Sequence, residues 1–153
     1  MNFVDLFLST DGRINRLRFW IGTLILAAIS TAAMMLILAT AGPTTSGVML
    51  SVLVAFALAY SSYALMAKRF QDRDKPGTLA LIGIVPTFVV NLLYTFRVLD
   101  PVEPSAVSRF LDVILVIVAL WILVELGCLK GTQGPNRYGL DPLGQSQADA
   151  TLG

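Results

Sequence analysis

The residues of this chain best suited to chemistry are arginines and carboxylates gathered in three short polar segments, with one further glutamate set among apolar residues. Arg13 and Arg16 stand in the first segment, Arg69 and Asp72 in the second, and Asn136, Arg137 and Asp141 in the third. A guanidinium presents paired donors that match a carboxylate or a phosphate, so such a set can interlock through ion pairs or hold an anionic group. The third segment, KGTQGPNRYGLDPLG at 130–144, adds Gly131, Gly134 and Gly139. Glycine-rich turns of this kind align backbone N–H groups into anion-binding concavities. It is no Walker loop, because Lys130 precedes the glycines, whereas GxxxxGK places the lysine after them.

Glu125 lies in a Leu- and Val-rich run, where a charge is costly and marks either a functional group or a structural ion pair. Tyr63 and Ser62 fall at similar depth on another helix, with Lys68, Arg69 and Lys130 nearer the surface. The expected role of Glu125 is an ion pair locking the second span to the fourth. Asp112 stands three residues from Arg109, the spacing of a helical i,i+3 pair. The chain has no His and one cysteine, Cys128, which excludes an internal disulfide and removes the commonest metal ligand and neutral-pH proton shuttle. No catalytic, cofactor-binding or metal residue is therefore expected, and at net charge +1 there is no field for nucleic acid.

The elements that must position these groups are membrane helices. The chain is 56% hydrophobic and only 14% charged, against about 25% charged in soluble domains, and its mean hydropathy is +0.74. Apolar runs at 19–41, 47–67, 79–96 and 110–129 are each near the ~20 residues that cross a bilayer core. The fold class is all-α: four transmembrane helices in one bundle, residues 1–144, under a cytoplasmic cap of loops, with 145–153 as a loose tail. Ala39-Thr40-Ala41 has the form of a signal-peptidase site, but the first run exceeds the usual ~7–15 residue signal core, so a retained span is expected.

Charge orients the bundle. Nine of eleven Lys and Arg residues fall in the three polar segments, and only Arg97 and Arg109 lie between runs three and four. The positive-inside rule then puts both termini in the cytoplasm. In the second span Gly47, Ser51, Ala55 and Ala59 recur every fourth residue, a ladder that lets another helix approach closely. Pro86 predicts a kink in the third span, and Asn91 there needs a hydrogen bond within the bundle. Thr10 or Asp11 is placed to cap a helix entering at Gly12, Phe3 to Leu8 to lie along the interface, and Lys68-Arg69 to stop the second helix.

DGRINRLRFW at 11–20, KRFQDRDKPG at 68–77 and the third segment, with Gly131, Thr132, Gly134, Asn136, Arg137, Tyr138, Gly139, Asp141 and Pro142, resemble the three signature segments of the bacterial family catalogued as domain of unknown function 805, which includes the YhaH-type inner-membrane proteins. The resemblance spans nearly the whole chain and implies a small four-helix inner-membrane protein without an assigned activity. In the family the position of Gln71 is often His, and an aromatic commonly follows where Thr78 and Leu79 stand here.

The expected function is that of an accessory or interaction subunit docking within the membrane, as a homo-oligomer or in a larger complex. The alternative is a lipid-headgroup or anion-binding protein, a small transporter or channel, using Arg13, Arg16, Arg69 and Arg137. Membrane lipids are expected partners in either case, and an integral-membrane enzyme ranks below both.

Overall fold

A computed structural model describes residues 3–144; the 145–153 tail lies outside the described residues. A short helix α1 (Phe3–Leu8) precedes α2 (Arg16–Thr40) and α3 (Thr45–Asp72). A 3-10 turn (Gly77–Ala80) leads into α4 (Leu81–Thr95), and α5 (Ala106–Ile122) continues as a π-helical turn (Leu123–Cys128). No strand occurs among the described residues beyond one isolated bridge, Asn136 to Gly139. Four helical stretches are long and apolar enough to cross a membrane: Arg16–Thr40, Thr45–Asp72, Gly77–Thr95 and Ala106–Cys128.

α5 starts at Ala106, a turn before the 110 read in the sequence, because the Ser105 hydroxyl accepts from Ser108 N at 3.2 Å, and two boundaries next to the polar segments differ as well. α2 begins at Arg16 rather than Gly12, because Asn15 supplies the cap: its Oδ1 accepts from Arg18 N at 2.9 Å. Gly12 instead takes a left-handed turn at φ +105°. α3 runs through Lys68-Arg69 to Asp72, one turn further than expected, because both cations are buried against protein carbonyls instead of facing water. The hairpin between α2 and α3 is closed by the Thr44 hydroxyl, which accepts from Gly47 N at 3.2 Å, and a side chain on Gly47 would collide with the Gly42 carbonyl.

α2 packs on α3, α3 on α4 and α4 on α5, while the π-helical turn returns to touch α2 and α3. α1 lies against α3, held by Tyr60 Oη donating to Leu8 O at 2.9 Å and by the Lys68 ammonium donating to the carbonyls of Asp5 and Leu6. The contiguous buried cluster is Ile14, Phe19, Leu65, Phe70, Ala80 and Leu126, drawn from the ends of the spans next to the polar segments. Large apolar residues elsewhere, such as Leu24, Leu53 and Ile117, are exposed on the bundle, as a lipid solvent requires. The best-packed region therefore sits directly beneath the cap.

Candidate functional site: the polar cap and the cavities beneath it

Asp72, the last residue of α3, is the centre of the cap. Its Oδ1 accepts from Arg13 Nε at 3.1 Å and its Oδ2 pairs with Arg69, and all three side chains are nearly inaccessible. The rest of each guanidinium is also used. Arg13 donates to Gly134 O at 2.7 Å, to Gly139 O at 3.2 Å and to Thr132 O at 2.6 Å; Arg69 donates to Leu126 O at 2.8 Å, Leu129 O at 2.6 Å and Ile14 O at 3.4 Å. Two cations thus thread all three polar segments onto one carboxylate. A buried charge without such partners would be prohibitively costly, so the folding of each segment depends on the other two.

The third segment is shaped to reach this centre. Thr132 donates its N–H and hydroxyl to Asp72 O at 2.8 and 3.0 Å, and a side chain on Gly131 would collide with the Asp72 carboxylate. Asn136 and Gly139 exchange backbone bonds at 3.0 and 3.1 Å, and the Asn136 amide donates to Gln71 O and Thr132 Oγ1, each at 2.9 Å. Asp141 closes the loop by accepting from Leu143 N at 2.9 Å and Gly134 N at 3.0 Å. Those backbone donors hold its carboxyl below the usual carboxylate range.

The other sequence-derived positions divide into those joined to this network and those outside it. Arg137 pairs with Asp74 at 3.1 Å on the exposed rim and stacks over Tyr138, rather than meeting Asp72 or Asp141. Arg16 donates to Cys128 O at 3.2 Å and stays exposed. Glu125 is nearly buried and pairs with Arg73 and Lys75, so it ties the turn after α3 to the last helix. Tyr63 packs against the hydrophobic cluster. Asp112 accepts from Tyr94 Oη at 3.1 and 3.0 Å, an inter-helix bond, where the sequence suggested a pair with Arg109. Asn91 finds its partner on its own helix, Thr87 O at 2.9 Å. Nothing in the local sequence singles out Lys68 as buried or Thr132 as the hub of the third segment; both roles arise only when distant segments meet.

Of the small-residue ladder, Gly47 is packed at the hairpin, and the Ser51 hydroxyl bonds to Val48 O at 2.7 Å. Ala55 and Ala59 face an open cavity of about 470 Å³ between all four spans, lined also by Trp20, Ser30, Gly83 and Ala119. A second, polar cavity of about 280 Å³ lies under the third segment, lined by Arg16, Arg69, Asp72, Lys130, Thr132 and Asp141 among others.

The family model for DUF805, described as a protein of unknown function, matches residues 7–140, which takes in all four spans, the first two polar segments and the third as far as Leu140. The chain belongs to the DUF805 family. Uncharacterized protein YiiR of Escherichia coli K12 is 30% identical over 133 residues, covering 87% of this chain and 85% of the relative, and YiiR of Escherichia coli O157:H7 matches to the same extent. No solved structure matches. In this DUF805 protein Asp72, Asn136 and Asp141 are the residues that knit the cap. At Gln71 the amide donates to Thr10 O at 3.0 Å, a bond that a ring N–H of histidine is equally able to make.

Proposed function

We propose that this small membrane protein of unassigned activity is an accessory protein of the bacterial inner membrane, with both termini in the cytoplasm, that works by docking a partner within the bilayer and not by catalysis. The observation that carries the reading is the division of labour between cap and spans. Arg13 and Arg69, the cations best placed to bind an external anion, spend their donors on Asp72 and on backbone carbonyls. The small residues Ala55 and Ala59 instead border a cavity open at membrane depth. A cap that consumes its own charges holds the helices apart at a fixed spacing, and the space so held is the docking site. The cytoplasmic assignment rests on the nine-to-two distribution of basic residues.

Filling the cavity tests this. Ala59→Phe and Ala119→Phe should each reduce what the protein carries out of the membrane in mild detergent, measured as co-purifying protein by mass spectrometry and as lipid by extraction, with protease resistance of the 130–144 segment unchanged. Unaltered bound content in both variants would remove the cavity from the account.

A further inference from the structure

The two cavities are aligned along one seam. Arg16, Trp20, Thr23 and Ser30 follow each other at helical spacing along one face of α2. Arg16 borders the polar cavity, and Trp20, Thr23 and Ser30 border the apolar one. Across the seam the last helix lines the apolar cavity with Leu123, Ile122 and Ala119, and Lys130, two residues beyond its end, lines the polar one. The two walls touch at the level between them, where Trp20 Nε1 donates to Gly127 O at 3.3 Å and Arg16 donates to Cys128 O.

From this alignment we propose that the seam between α2 and the last helix binds one anionic phospholipid of the cytoplasmic leaflet, its headgroup at Arg16 and Lys130 and one acyl chain in the cavity below. The inference rests on the docking reading and names the partner's class. Charge is the first argument. Arg16 and Lys130 form no ion pair among the described residues, whereas the acids at the same cavity are engaged, Asp72 by Arg13 and Arg69 and Asp141 by backbone N–H groups. The start of α2 adds its positive dipole end beside them.

Volume is the second argument. At about 30 Å³ per small group, the share of a water in the liquid, 470 Å³ takes about 15 methylenes, the length of one lipid chain. Trp20 lines the apolar cavity one turn of α2 away from Arg16, which lines the polar one, and tryptophan favours such a polar–apolar boundary at a membrane interface.

Trp20 is also the reporter. The chain holds two tryptophans, so Trp121→Phe leaves Trp20 as the sole tryptophan, which is excited selectively over the tyrosines at the red edge of its absorption. The full chain with that change is placed in phosphatidylcholine vesicles containing a few mole per cent of brominated phosphatidylglycerol or, separately, brominated phosphatidylcholine. Trp20 quenching should favour the phosphatidylglycerol probe. Lys130→Gln and Arg16→Gln should each lower that preference about five-fold, the worth of one basic group at a bilayer surface. Ala119→Phe should reduce quenching by both probes. Equal quenching by the two probes in the parent, or an undiminished preference in Lys130→Gln, whose side chain holds no ion pair among the described residues, overturns the proposal. Recovery of a protein helix from the cavity, with no lipid preference, would leave the docking reading standing and sink this one.

Discussion

Asp72 binds two arginines and Arg69 reaches three separate carbonyls, so the two substitutions that best test the cap remove different things. Asp72→Asn leaves Arg13 and Arg69 buried without a counter-charge, which costs on the order of 3–5 kcal/mol. Arg69→Lys keeps the charge but loses the fork that joins Leu126 O, Leu129 O and Asp72, at about 2 kcal/mol. Thermal unfolding in detergent should show both losses, the first larger, accompanied by faster proteolysis within 130–144. Wild-type behaviour in both variants would mean that the charges do not hold the cap. Asp141 makes a milder, pH-dependent contribution. Its folded pKa lies below the ordinary value, so its stabilisation is complete at neutral pH and is lost as pH falls below the usual carboxylate range. Protease resistance of the third segment should fall over that acid window, and Asp141→Asn should flatten the dependence. The sequence showed that these acids and bases would meet, because nine cations and four acids fall in three segments. Which would pair was legible only for Arg69 and Asp72, which stand at the i,i+3 spacing; Arg137 took Asp74 and Arg13 took Asp72, since the partner is set by where the glycine turns bring the third segment.

At the scale of elements, four apolar runs announced four helices, and the structure bears them out because hydropathy over ~20 residues is a local property. Their ends next to the polar segments were less legible. Lys68 and Arg69 look like stop signals in sequence, yet α3 continues through them, since the carbonyls of α1 and of the last helix replace water around both cations. The same tertiary fit explains Gly131, which read as a generic loop glycine and is the point where the third segment meets Asp72 without a side chain between them. Gly131→Ala should therefore destabilise the cap by about 1–3 kcal/mol through overpacking. Gly144→Ala, whose methyl would find ordinary contact with Asp141, serves as the control. Equal unfolding temperatures for the two variants would show that the loop shifts freely at 131, against the close packing described.

For the whole molecule, cap and topology are one question. The fold brings segments before α2, after α3 and after the last helix into a single network at one end of the bundle, leaving the α2–α3 hairpin and the 96–105 connection at the other. A network of this kind cannot form if any one span is inverted, so the nine-to-two count and the Asp72 centre must agree on sidedness. Reporter fusions at Ser46, Asp74, Ser105 and Gly153 should read periplasm, cytoplasm, periplasm and cytoplasm. A cytoplasmic signal at Ser105 would contradict the network as well as the charge rule, because the third segment would then lie on the opposite face from Arg13 and Asp72. The agreement has a mechanical consequence for the membrane cavity. The contiguous hydrophobic cluster and the ion pairs that stiffen the bundle are concentrated beneath and within the cap, and the spans below are held at their spacing from that one end. Loosening the cap by Asp72→Asn should then also reduce the lipid or protein carried by the apolar cavity between the spans, although Asp72 does not line that cavity. Retained binding in a variant with a demonstrably loosened cap would show that the spans keep their spacing by their own packing.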